Sequence, residues 1–171
     1  PLVAAAVAYE EGCVPQGVKD SKVLSQRKRE SLYGEILHSA KDVSVSMATS
    51  FRIDEINVHN ADKGALREAL LGLRVPVERA FVDGFPLEGL PFPHEAVFHG
   101  DASIPVISAA SIVAKVLRDH LMALFSVHFP LYGLDVNKGY GTTSHREAVK
   151  THGPTLFHRT SFHIKSLGEK L

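Results

Sequence analysis

The stretch Gly100–Met122, GDASIPVISAASIVAKVLRDHLM, decides how this chain is read. It carries two aspartates, Asp101 and Asp119. Asp101 follows an apolar run, Ala96–Val97–Phe98, that reads as a strand. Asp119 sits toward the end of a helix predicted from near Pro105 to near Val127, which is otherwise mostly small and apolar. Ile112, Val116 and Leu124 are spaced to face a core, while Ser108, Lys115 and Asp119 fall close to one stripe. A strand end and a helix can bring two carboxylates to one point, and hard divalent cations favour such oxygen ligands. The same residues also describe an Asx turn at Asp101 and an i,i+4 ion pair between Lys115 and Asp119.

Outward from this stretch the chain alternates strands and helices. Val3 to Tyr9 reads as a buried strand, followed by a turn region with Gly12, Pro15 and Gly17. Ser25 can cap a helix to about Ser39, with Leu32, Ile36 and Leu37 on one face. From Val43 to Phe51 the pattern alternates, with Val43, Val45, Met47, Thr49 and Phe51 on one side, which predicts a half-buried strand. Asp54 can cap a helix to about Leu73, ended by Pro76. Ala80–Val82 and Ala96–Phe98 are short strands separated by a Pro- and Gly-rich loop from Gly84 to His94. A last helix is predicted from Thr143 or Ser144 to Thr151, with Ser144 and Glu147 as a capping box and Gly153-Pro154 as its stop. This order indicates an α/β domain with a mixed sheet. No repeat or linker divides it, so one domain over residues 1–171 is expected, with a helical C-terminal part from about 143 to 171.

Composition narrows the class. The chain is 44% hydrophobic and 22% charged, as an ordinary globular domain is. Its longest N-terminal apolar run, Pro1 to Tyr9, is far too short to span a bilayer. The single Cys13 excludes an internal disulfide and suits a reducing cytoplasm. There is no Cys pair or HExxH for zinc, and no Gly-rich phosphate loop. The zero net charge hides an uneven spread. Residues 19–30 carry five Lys/Arg against two acids, and residues 137–171 six against two with four His. Residues 42–103 carry ten acids against five bases. Two basic segments about an acidic centre suit a phosphate-gripping rim around a cation site, though surface charge also clusters by chance.

Gly100-Asp101, the run SAASIVAK from Ser108 to Lys115, and Arg118-Asp119 together closely resemble the ribonuclease HII family. So do five further segments, in the family's order: Lys19-Asp20-Ser21-Lys22, Ile53-Asp54-Glu55-Ile56-Asn57, Val82-Asp83-Gly84, Asn137-Lys138-Gly139-Tyr140-Gly141-Thr142, and His158-Arg159-Thr160-Ser161-Phe162. Asn137 stands where the family commonly has His. The family opens with a strand carrying Asp-Glu, then a Gly-Arg-Gly turn, then a second apolar strand, which Pro1–Val7 resembles. The Asp-Glu and the turn are not among the 171 residues, and Glu10 and Glu11 follow the strand without a matching motif. The expectation is a fragment of a longer protein, the alternative a naturally shortened one.

The resemblance implies a ribonuclease H-like mixed sheet of five strands flanked by helices, of which this chain supplies four. It implies hydrolysis of the RNA strand of RNA–DNA hybrids, and cutting 5′ of ribonucleotides embedded in duplex DNA, by two-metal-ion catalysis with Mg²⁺ or Mn²⁺. Asp101 and Asp119 take the metal-ligand role, two of the family's four carboxylates. Tyr140 would stack on the sugar at an RNA–DNA junction, or else packs on its own loop. Ser21, Lys22 and Asn57 match positions that approach nucleic acid, and Lys138 is a phosphate contact. Read alone, Lys22 is a solvated surface lysine and Asn57 a polar helix residue. The implied partners are RNA–DNA hybrid and DNA containing ribonucleotides, without a membrane, for a monomer in the cytoplasm. A hybrid-binding fragment that does not cut is the alternative. Another nuclease of the same fold, a junction resolvase or ribonuclease HIII, is disfavoured by the DSK, IDEIN and HR-x-SF segments together.

Overall fold

The run of small apolar residues after Pro1 forms β1 (Leu2–Ala8), with Ala4 to Val7 all buried in the computed structural model. The structure describes residues 1–161. The Ser25 hydroxyl accepts a hydrogen bond from the Lys28 amide and starts α1 (Gln26–Ser39), as its sequence predicts. Leu32 and Ile36 of that helix are fully buried, but Leu37 is 46% exposed and lies outside the packed stripe.

β2 (Asp42–Ala48) reverses the expected facing. Val45 and Met47 are exposed, and the serine side faces the protein. Ser46 Oγ donates to Glu68 Oε2 at 2.6 Å, and a Cβ added to Gly72 would lie 2.3 Å from Ser44 Oγ. Close approach of the helix carrying Glu68 needs small side chains, so Ser44 and Ser46 take the inner side.

The single helix expected after Asp54 is two. Thr49, not Asp54, caps α2 (Ser50–Ile56), and Phe51 is a highly exposed residue of that helix. Asn57 adopts a left-handed φ of 66°, which breaks the run, and its Oδ1 accepts the Asn60 amide to restart it as α3 (Val58–Leu71). Ala61, Ala65 and Ala69, four residues apart, form a buried stripe.

β3 (Ala80–Asp83) pairs in parallel with β4 (His94–Val97), from Ala80 opposite His94 to Asp83 opposite Val97. His94 therefore opens the strand rather than ending the loop, and Phe98 lies beyond it, 78% exposed. α4 (Gly100–Ser103) and α5 (Pro105–His128) follow. Ile112 and Val116 are buried as predicted; Leu124 is 62% exposed. A 3₁₀ turn at Pro130–Tyr132, α6 (Leu134–Asn137) and α7 (Thr143–His152) complete the order. The α7 cap is Thr142, whose hydroxyl accepts the His145 amide, rather than Ser144. The helical part expected to reach residue 171 extends past the described residues.

The chain divides into two compact units. One comprises Pro1–Leu2, Ala48–Ala61 and Leu117–Leu171. In it Met122, Tyr132, Leu134 and Val149 form one core cluster, and Ala48, Ile53 and Ala61 another. The other comprises Val3–Met47 and Asp62–Val116. The four strands of the described residues form two ladders, β1–β2 and β3–β4. In the second unit a cavity of about 930 Å³ is lined by β1, by β3 and by the first part of α5, including Ala6, Val82 and Ile107.

Candidate active site

Asp101 is held by a short chain of steric and polar constraints. Asp83, at the end of β3, accepts the Gly100 amide on Oδ1 at 2.8 Å and so ties the start of α4 to the strand. Gly100 has no room for a side chain: a Cβ would meet Ile107 Cδ1 at 2.4 Å and Val97 Cβ at 3.3 Å. That explains the Gly-Asp pair, because the backbone must approach closely before it can present the carboxylate. Ser108 Oγ then donates to the Asp101 carbonyl at 2.8 Å in a buried bond. Asp101 therefore lies on α4, one step past the strand end predicted for it, and is only 6% exposed.

Lys22 reaches this buried carboxylate. Its Nζ donates to Asp101 Oδ2 at 3.0 Å, and its backbone amide donates to Asp20 Oδ1 at 2.9 Å. The hydrogen bond to Asp101 raises the lysine pKa; partial burial opposes it, and the charges of Asp101, Asp20 and Asp83 assist. Ser21 is buried beside it, with its hydroxyl 3.0 Å from Ser111 Oγ and its carbonyl accepting from Arg29 Nη1 at 3.0 Å. This unit thus brings Ser21, Lys22 and Asp101 together. Asp83 and Ser111, which sequence reasoning left without a role, complete the setting. Asp83 carried a signal in the Asp-Gly that ends its strand, and Ser111 in the SAASIVAK run.

In the other unit Asp119 is buried on α5, 6% exposed. Tyr140 is presented by the loop between α6 and α7 and is 56% exposed. Asn137 builds that loop: its Nδ2 donates to the Tyr132 carbonyl at 2.6 Å, and its Oδ1 accepts the Gly139 amide at 2.7 Å. An amide supplies both a donor and an acceptor, which serves the position without the His common there. Lys138 and Gly139 are left-handed, with φ of 50° and 74°. Arg118 Cζ lies 5.0 Å from the Tyr140 ring centroid. Arg159 adds positive charge: burial and then the Arg118 charge push its guanidinium below the ordinary value, with Asp54 opposing. Asn57 sits at the α2–α3 junction, with its side chain used as the α3 cap.

The ribonuclease HII model matches residues 1–165. The chain belongs to the ribonuclease HII family. Ribonuclease HII of Rhizobium etli is 45% identical over 163 residues, covering 95% of this chain and 71% of that protein. That of Xanthobacter autotrophicus is 48% identical over 164 residues, 95% of this chain and 65% of that protein. Among solved structures, ribonuclease HII in the PCNA complex from Archaeoglobus fulgidus superposes with a TM-score of 0.75 at 26% identity, over 94% of this chain and 86% of that one. The fold is therefore the ribonuclease H fold, and membership in ribonuclease HII supports an RNA–DNA hybrid-directed endonuclease that depends on metal. The carboxylates at Asp101 and Asp119 are the right donor type for a hard divalent cation. They fall short in number, because the described residues contain no group of three or more His, Cys, Asp or Glu able to hold a metal ion. No helix among the described residues is long and apolar enough to cross a membrane.

Proposed function

We propose that this chain carries part of the centre that cuts the RNA strand of RNA–DNA hybrids and cuts 5′ of ribonucleotides embedded in duplex DNA, with Asp101 and Asp119 as metal ligands. The observation that carries the reading is Asp101 itself. It is a buried carboxylate, fixed by Asp83, Gly100 and Ser108, with one oxygen turned toward a cationic ammonium. Buried carboxylates need such compensation, and a divalent cation supplies it more strongly than an exposed lysine does. When bound, Mg²⁺ or Mn²⁺ would activate water, neutralise the phosphate and stabilise the leaving 3′ oxygen. Lys22, 75% exposed at its side chain, is positioned to exchange Asp101 for a phosphate oxygen. Tyr140 offers an exposed ring for the ribose, and Lys138 a cation beside it. Ser21 would hold the segment that carries Lys22, and Asn57 would approach the duplex backbone.

A second reading, binding of hybrids without cutting, is favoured by the supply of ligands: the described residues hold no group of three or more His, Cys, Asp or Glu able to bind a metal ion, and two carboxylates do not position two ions. On this ground residues 1–171 alone are proposed to be inactive and to cut only when further carboxylates join them. In this reading the protein acts as a monomer in the cytoplasm. Tyr140→Ala tests the substrate part. Affinity for a duplex with one embedded ribonucleotide should fall by on the order of tenfold relative to all-DNA duplex, the scale of one stacking contact. Equal losses on both duplexes would make Tyr140 structural and overturn its assignment.

A further inference from the structure

The side chain of Arg118 lies against Tyr140. The guanidinium carbon is 5.0 Å from the ring centroid, within the range of cation–π attraction. Its Nη1 is buried and makes no hydrogen bond. A buried N–H without an acceptor is unfavourable, so satisfaction of that donor does not explain why the guanidinium sits there. The ring face does.

The loop is laid onto α5 at two points. Gly139, at φ +74°, lies so close that an added Cβ would be 2.9 Å from Met122 Cε and 3.7 Å from Arg118 Nη2. Arg118 and Met122 are four residues apart and share one helix face. Gly139 therefore seats the backbone on Met122, and Arg118 meets the next residue, Tyr140. Asn137 fixes the backbone through Tyr140, its Oδ1 accepting the Gly139 amide and its carbonyl the Tyr140 amide. Those bonds hold the main chain, and the Tyr140 side chain, on a residue more than half exposed, projects beyond them. Asp119 follows Arg118 directly, so one helix sets both the ring support and a carboxylate.

We infer that Arg118 is a positioning residue, holding the Tyr140 ring from α5 in the orientation that meets the sugar of a ribonucleotide. The ring contact stands by itself; its use on a ribonucleotide rests on the proposed function.

The test uses the full 171-residue chain with ¹³C-ring-labelled tyrosine. Its four tyrosines are resolved by NMR and Tyr140 is assigned with Tyr140→Phe. Arg118→Met keeps length and removes the cation; Arg118→Lys keeps a cation without the planar face. The Tyr140 ring resonances should shift in Arg118→Met and shift less in Arg118→Lys, which also serves if the methionine variant does not fold. Binding then completes a double-mutant cycle. Arg118→Met should lower the preference for ribonucleotide-containing duplex over DNA by about threefold, and should lower it hardly further in a Tyr140→Ala background. Unmoved ring resonances in both variants, or fully additive losses in the cycle, would overturn the inference. Moved resonances together with a Tyr140→Ala variant of unchanged preference would leave the ring support standing and overturn the reading of Tyr140 as ribose reader.

Discussion

Gly139→Ala probes the loop that carries Tyr140, and its cost divides into two parts. The backbone part comes from φ +74°, a left-handed conformation that costs an L-residue roughly 1–2 kcal/mol. The steric part comes from the new Cβ, 2.9 Å from Met122 Cε. That atom ends a flexible thioether side chain and yields readily, so the steric part is small. The expected loss is about 1–2 kcal/mol, almost all of it backbone. Urea unfolding followed by circular dichroism measures it, in the natural sequence and in a Met122→Ala background. Met122 is 4% exposed and packs with Tyr132, Leu134 and Val149, so its truncation carries its own cost of about 2–5 kcal/mol. Backbone strain survives the removal of Met122, so Gly139→Ala should cost the same in both backgrounds. A cost that disappears in the Met122→Ala background would refute the backbone argument, and no cost in either would show that the loop is not held left-handed.

Three other outcomes follow from the same structure. Asn137→Ala removes the bridge between the Tyr132 carbonyl and the Gly139 amide and should cost about 1–3 kcal/mol in the same unfolding assay. Asp54 accepts from the amides and hydroxyls of both Thr160 and Ser161, so Asp54→Ala should speed amide exchange at those two residues, with little change in α1. Burial, and then the charge of His145, hold the His158 pKa below its ordinary 6.5. The unfolded chain then takes up the proton first as pH falls, so stability is full above about pH 6.5 and declines below it; Tm should be lower at pH 5.5 than at 7.5, by a margin that shrinks in His158→Gln.

Elements set by local chemistry were legible in the sequence. Ser25 announces α1, the apolar run announces β1, and the long periodic segment gives α5 to within a residue or so. Period-two alternation located β2 but could not say which side packs inward, because close approach at Gly72 overrides hydrophobicity there. The break at Asn57 was hidden because its cue, a left-handed Asn, is a backbone conformation rather than a residue type. Asp54 looked like a helix cap and is instead an anchor for residues more than a hundred positions later. In the candidate site, Gly100-Asp101 and Tyr140 were readable from motifs. Their supports also lie in quoted segments, but what they do there was not readable: Asp83 on the Gly100 amide, Ser108 on the Asp101 carbonyl and Arg118 beneath Tyr140 are tertiary contacts that no spacing encodes.

Cleavage by the Asp101→Asn variant shows whether Asp101 holds the catalytic metal. The substrate is a labelled duplex with one embedded ribonucleotide, in Mg²⁺ and in Mn²⁺. The enzyme is the chain extended upstream by a strand carrying Asp-Glu-x-Gly-Arg-Gly, with residues 1–171 alone beside it. The Lys22 partner of Asp101 is 75% exposed, so its charge is left in water and the fold should lose no more than about 1 kcal/mol. The expected outcome is a metal-dependent cut 5′ of the ribonucleotide by the extended chain, none by residues 1–171, and none by extended Asp101→Asn, which still binds the duplex. Near-normal turnover by extended Asp101→Asn in either metal would contradict it.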